Sequence, residues 1–126
     1  MGKRKSIEIP GVSHQAPIPM GAKIGNLIFS SAISGYDPQG KALPADPDKQ
    51  AEALFRNVRA FMEKAGGTAG DIIKMTVFLR EERYRESINK EWLKMFADPD
   101  DRPARHALKA ELRGDVLFQV EIVAVL

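Results

Sequence analysis

The sequence predicts an α+β domain in which a single mixed β-sheet carries two helices on one face. Three observations lead there. Two amphipathic segments of helical period alternate with segments of strand period. The order along the chain is strand, helix, strand, helix, strand, strand, which is enough to cover one side of one sheet. The length of 126 residues, 44% of them hydrophobic and 29% charged, fits one domain, 1–126, around one core.

Residues 3–9 are expected to form a short edge strand. The loop GVSHQAPIPMG follows, stiffened by Pro17 and Pro19. In AKIGNLIFSSAIS, Gly25-Asn26 between two apolar runs is a hairpin signal. GYDPQGKALPADP reads as a loop. Asp46-Pro47 opens the first helix, a capping residue followed by proline at the first helical position. Ala51, Leu54, Phe55, Val58, Phe61, Met62 and Ala65 recur at helical spacing, and Gly66-Gly67 ends the helix. DIIKMTVFLR is the next strand, with Ile73, Met75, Val77 and Leu79 expected on one face and Ile72, Lys74, Thr76 and Phe78 on the other. A second helix is expected over 83–97, with Tyr84, Ile88, Trp92, Met95 and Phe96 as its buried stripe. Strands over 105–112 and 116–125 close the chain, read as a hairpin with its turn at Arg113-Gly114-Asp115. Each strand–helix–strand crossover is expected to be right-handed. The sheet face away from the helices would carry Ile72, Phe78, Val123 and Val125 with no third layer to cover it, so a homo-oligomer is expected.

Composition narrows the chemistry. With no cysteine, disulfides, zinc–thiolate sites, iron–sulfur clusters and thiol nucleophiles are excluded. The net charge of +2 is spread among acidic residues and gives no case for nucleic acid as a partner. No apolar run reaches the roughly 20 residues of a bilayer span, and MGKRKSIEIP lacks the apolar stretch of a secretory signal. A cytoplasmic protein without membrane contact is expected. No P-loop, no GxGxxG after a strand and no marked Schiff-base lysine appear, so no cofactor is expected. Asp98, Asp100 and Asp101 lack calcium-loop spacing and read as a loop, and no metal site is expected.

The stretch DRPARHALKAEL holds the most informative residue. Alternation from Arg105 puts Arg105, Ala107, Lys109 and Glu111 on one face. It puts His106, Leu108, Ala110 and Leu112 on the other, which reads as the core face. His106 is then expected beneath the helices. Arg105 is either an anion anchor or one half of an ion pair with Glu121 or Glu111. Met20 either lines a pocket mouth or packs, and Trp92 and Phe96 read as core.

GNLIFSSAISGYDPQGK, EKAGGTAGDIIKMTVFL, INKEWLKMF, RPARHAL and DVLFQVEIVAV, in this order, together resemble the YjgF/RidA family of reactive-intermediate deaminases, over about residues 12–126. The resemblance implies a chorismate-mutase-like fold and a homotrimer with a pocket at each subunit interface. It implies that Arg105 grips the carboxylate of an imine or enamine acid, a task suited to a planar guanidinium that is charged at any working pH. It places the pocket serine at Ser31 and a helix asparagine at Asn89, with Gly35 keeping the backbone close to the pocket.

Three positions depart from the family pattern. Its pocket tyrosine falls on Ile18, its small residue two after the arginine is Ala107, and its water-positioning glutamate falls on Gln119, with Glu121 two residues later on the same face. A glutamine can orient a water but cannot take its proton. The water then falls to Glu121, to a main-chain carbonyl or to His14, which the loop brings near the cleft. The loop SHQAPIPMGA and the histidine after PAR mark a divergent subgroup, and Lys109 offers a second cation if the substrate is a dicarboxylate. The expected activity is metal-free hydrolysis of a small imine or enamine carboxylate, of the 2-imino acid or aminomuconate/aminoacrylate type, to a keto acid and ammonia. The alternatives are a trimeric protein that binds small carboxylates without turnover, favoured by Gln119, and an endoribonuclease or translation inhibitor, which the charge and the lack of a His-His or His-Lys pair disfavour.

Overall fold

Local signals in the sequence account for the helix ends in the computed structural model, which describes residues 3–8, 17–37 and 42–126. Helix α1 spans Pro47–Ala65. The Asp46 carboxylate accepts from the Lys49 amide at 3.0 Å, satisfying one of the donors a helix start leaves orphaned. Gly66, at φ +95°, takes the left-handed position that closes the helix, and the Gly67 amide donates to the Met62 carbonyl at 2.9 Å. Helix α2 spans Arg85–Met95 after a single 3-10 turn, Glu82–Tyr84. Asp48 of α1 ties the two helices together. Its carboxylate accepts from the Ser87 hydroxyl at 2.7 Å and from Lys90 Nζ at 2.8 Å.

Six strands form one mixed sheet: β1 (Lys5–Ile7), β2 (Gly21–Ile24), β3 (Leu27–Ser30), β4 (Ile72–Leu79), β5 (Ala104–Lys109) and β6 (Phe118–Val125), in the order β1-β2-β3-β6-β4-β5. The two-residue turn Gly25-Asn26 joins β2 to β3, with Ile24 opposite Leu27 and Gly25 at φ +57°. β3, β6 and β4 run antiparallel in turn, and β5 lies parallel to β4 at the sheet edge. Both helices pack on one face of this sheet. The core between the layers holds Ile28, Leu54, Phe61, Met62, Met75, Val77, Leu79, Ile88, Phe118 and Ile122.

Four expectations change. First, β5 and β6 are not a hairpin. β4 lies between them, and residues 110–117 cross its end. Arg80, at the end of β4, clamps this crossing: Nε donates to the Val116 carbonyl at 2.9 Å and Nη2 to the Leu112 and Gly114 carbonyls at 2.8 and 2.7 Å. Second, β4 changes phase at its start. The register slips between Ile72 and Lys74, so Ile72 is buried under the helices while Ile73 is exposed. Third, β5 faces the other way. Its register sets Arg105 beside Met75 and Ala107 beside Val77, both fully buried, so Arg105 and Ala107 lie on the helix side. His106, beside Thr76, lies on the open face and is exposed. Fourth, the backbone that Gly35 lets come close is that of α1. A Cβ there would stand 2.6 Å from the Gln50 carbonyl oxygen of α1. Met20 is a core residue.

The open face keeps its expected character with a changed roster. Ile24, Leu27, Phe29 and Val125 are exposed on it, Phe29 by 53%. Half-buried Val123 and Phe78 extend the patch. Beside it, Glu121, Thr76 and His106 form a polar row across β6, β4 and β5.

Candidate active site

Arg105 stands near the start of the edge strand β5. Its guanidinium carbon lies 5.1 Å from the centre of the Trp92 ring, a cation–π stack. Trp92 is itself held by Phe96, edge-on with ring centres 4.7 Å apart. Trp92 is therefore core on one side and a platform on the other. Among the described residues no carboxylate lies within ion-pair distance of Arg105, so the alternative of an ion pair with Glu121 or Glu111 is not realised in this chain. The group is half-buried, and its pKa is lowered first by that burial and then by the like charge of Arg85. Such a guanidinium remains charged at any working pH. A desolvated cation with unmatched donors favours an anion beside it.

Asn89 is half-buried on α2, one turn before Trp92 on the same side of the helix, and Ala107 follows Arg105 on the same face of β5. Trp92, on which Arg105 stacks, links these two elements. The remaining expected residues do not join them within one chain. Ser31 follows β3 and donates through its hydroxyl to the Pro19 carbonyl at 2.8 Å, pinning the loop that exposes Ile18 by 53%. β6 and β4 separate β3 from β5, so three strand spacings, roughly 14 Å, divide Ser31 and Ile18 from Arg105. Gln119 and Glu121 lie on the open face, opposite Phe78 and Thr76, and so on the other side of the sheet from Arg105. Lys109 shares the Arg105 face four residues on, roughly 13 Å along the strand. His14 lies outside the described residues.

The sequence reading missed Arg85, on the same helix as Trp92, whose charge bears on Arg105. A spacing of seven residues between Arg85 and Trp92 was the available signal, because positions i, i+4 and i+7 share a helix face. Among the described residues no group of three His, Asp or Glu side chains is arranged to hold a metal ion. Asp98 is used locally, its carboxylate accepting from the Asp100 amide at 2.9 Å.

The family described as Endoribonuclease L-PSP matches residues 15–126, nearly the whole chain. The chain belongs to this family, also known as YjgF/RidA. A RutC family protein of Haemophilus influenzae is 35% identical over 112 residues, covering 86% of either chain. The 2-iminobutanoate/2-iminopropanoate deaminase of Escherichia coli is 33% identical over 111 residues, covering 86% of this chain and 87% of that one. Among solved structures, E. coli TdcF with bound serine superimposes with a TM-score of 0.88 at 32% identity, over 97% of this chain and 98% of that one. The two helices on a single mixed sheet are thus the fold of the family, and relatives named as deaminases support a deaminase role for this chain.

Proposed function

We propose that the protein is a hydrolytic deaminase of small 2-imino or enamine carboxylates, acting as a homotrimer whose sites are completed between subunits. The observation that carries this reading is Arg105: half-buried, stacked on Trp92 and without a carboxylate partner among the described residues. A relative named for 2-iminobutanoate and 2-iminopropanoate supports the substrate class.

In this reading Arg105 holds the substrate carboxylate through paired hydrogen bonds, which fixes the adjacent imine carbon. Water adds to that carbon and the imine nitrogen gains a proton. The resulting carbinolamine breaks its carbon–nitrogen bond, releasing ammonia and leaving the keto acid. Imines of this kind hydrolyse in water unaided, so positioning supplies most of what is needed, at about 1.4 kcal/mol for each tenfold gain.

Two features support the trimer. Ile24, Leu27, Phe29 and Val125 leave an apolar patch on the open face. Ser31, Gln119 and Glu121 stand too far from Arg105, or on the wrong side of the sheet, to serve it within one chain, whereas a second copy can bring its own to the cleft.

One observation favours a second reading, a carboxylate-binding trimer without turnover. The position of the water-handling glutamate holds Gln119, and no base of the described chain stands beside Arg105. The deciding experiment generates 2-imino acids in place with an amino-acid oxidase and traps the surviving imine with semicarbazide. Loss of trapped product on adding the protein is expected. Unchanged trapping, together with saturable binding of pyruvate, would replace the deaminase reading with the binding one.

A further inference from the structure

The surroundings of Arg105 hold a second cation, Arg85. Arg85, Asn89 and Trp92 occupy one side of α2 at positions i, i+4 and i+7. The Arg105 guanidinium stacks on the Trp92 ring, and Trp92 shares this side of α2 with Asn89 and Arg85. The two arginines are near enough for the charge of Arg85 to depress the pKa of Arg105, an effect second only to burial. Among the described residues no carboxylate relieves that repulsion at Arg105. Arg85 has an acidic partner: its Nη2 donates to Glu82 Oε2 at 2.6 Å. That pair is solvated, with the Arg85 side chain 42% exposed, and a pair of this kind is worth little and exchanges readily. It occupies one edge of the guanidinium. The other donors of the fork remain for a ligand.

We infer that Arg85 is a specificity-determining residue, a second cationic contact that selects substrates carrying a carboxylate on the side chain as well as the one held by Arg105. The inference rests on the reading of Arg105 as the carboxylate anchor. A short dicarboxylate laid along this side of α2 meets a guanidinium at each end, with the Asn89 side chain and the Trp92 ring between them. Its two charges offset the two that repel each other along this side of α2. Lys109 cannot serve this purpose for a short substrate, being roughly 13 Å along β5 from Arg105.

The test compares an acidic with a neutral substrate in the wild type and in Arg85→Gln. 2-Iminoglutarate and 2-iminopropanoate are generated from glutamate and alanine by oxidases, and their clearance is followed by semicarbazide trapping. Separately, the affinities of 2-oxoglutarate and pyruvate are measured by calorimetry, which needs no turnover. The wild type should prefer the acidic member of each pair. Arg85→Gln should lose about 10- to 100-fold on it, as expected for a charge-assisted hydrogen bond, and stay within about twofold on the neutral one. If nothing is turned over but 2-oxoglutarate binds more tightly than pyruvate and Arg85→Gln removes the difference, the deaminase reading falls and this inference stands. If the wild type treats both members of each pair alike, the inference is overturned. It is also overturned if Arg85→Gln weakens both members by the same factor, because Arg85 would then be sharing the first carboxylate. Arg85→Lys, which keeps the charge and loses the fork, should retain part of the preference and guards against a folding defect.

Discussion

Replacing Gln50 with leucine should destabilise the protein by about 2–6 kcal/mol, although leucine is apolar, similar in size and a good helix former. The magnitude follows from what the side chain does. Gln50 lies in α1 and is fully buried. Its Nε2 donates to the Pro44 carbonyl at 2.8 Å and, at 3.4 Å, to that of Asp115, while its Oε1 accepts from the Leu117 amide at 2.8 Å. One side chain thus joins the segment entering α1 to the crossing that leads into β6. Leucine removes both short bonds and leaves a donor and an acceptor in a place water reaches poorly. Each such orphan costs about 1–3 kcal/mol, and the 3.4 Å bond adds little. For a domain between the usual small and mid-sized ranges, about 4 °C per kcal/mol, this is a fall in Tm of about 8–24 °C. Urea unfolding gives the free energy, and hydrogen exchange at the Leu117 amide gives the local effect, which should exceed that at amides of β4. A Gln50→Leu protein within about 0.5 kcal/mol of wild type, with Leu117 exchange unchanged, would refute the assignment of this side chain as a structural clamp.

Other expectations follow from the same reasoning. Arg80→Lys replaces a fork that serves three carbonyls with a point charge, and should cost about 2 kcal/mol in urea unfolding while leaving α1 and α2 intact by circular dichroism. The Asp48 carboxyl is held below the usual carboxylate range, first by its bond from Lys90 and then by that from Ser87. Its contribution is present above the unfolded pKa and is lost as pH falls through the lower folded value. Asp48→Asn should therefore lower Tm at neutral pH and make its decline in acid shallower than that of the wild type. Phe29→Glu places a charge in the exposed apolar patch; if the proposed trimer forms through this patch, sedimentation should shift toward monomer, and an oligomer unchanged from wild type would mean that the subunits meet elsewhere.

Local signals were legible and pairing signals were not. Asp46-Pro47, Gly66-Gly67 and Gly25-Asn26 act within a few residues of themselves, and the structure uses each as its chemistry dictates. Arg113-Gly114-Asp115 shows that the chain turns, but not that the next strand joins the far side of β4. That depends on the long-range fit of β6 between β3 and β4. The face of β5 was misread because both of its faces are half-apolar and an arginine suggests solvent. Trp92 makes the helix side habitable for Arg105, and a strand of period two inverts every side chain with a one-residue change of phase. The same inversion at the start of β4, where Ile72 rather than Ile73 enters the core, arises from a register slip that no pattern announces. Gln50 and Asn57 look like surface residues in sequence. Asn57 is in fact buried and donates to the Ser34 and Tyr36 carbonyls at 2.8 and 2.6 Å. For the candidate site, Arg105 and Ala107 share one face of β5, and Asn89 shares a side of α2 with Trp92, on which Arg105 stacks. Ser31, Ile18, Gln119 and Glu121 lie apart from them in one chain.

The central claim is that Arg105 anchors the carboxylate of an imine, and clearance of 2-iminopropanoate by wild type, Arg105→Lys and Arg105→Ala tests it most directly. Loss of a paired charge-assisted hydrogen bond of about 3–4 kcal/mol predicts a fall in kcat/KM of about 10²- to 10³-fold in Arg105→Ala, with Arg105→Lys intermediate. Stability should change little, because Arg105 has no ion-pair partner among the described residues and a stack on Trp92 is worth about 1 kcal/mol. Wild-type clearance with Arg105→Ala fully active would contradict the account.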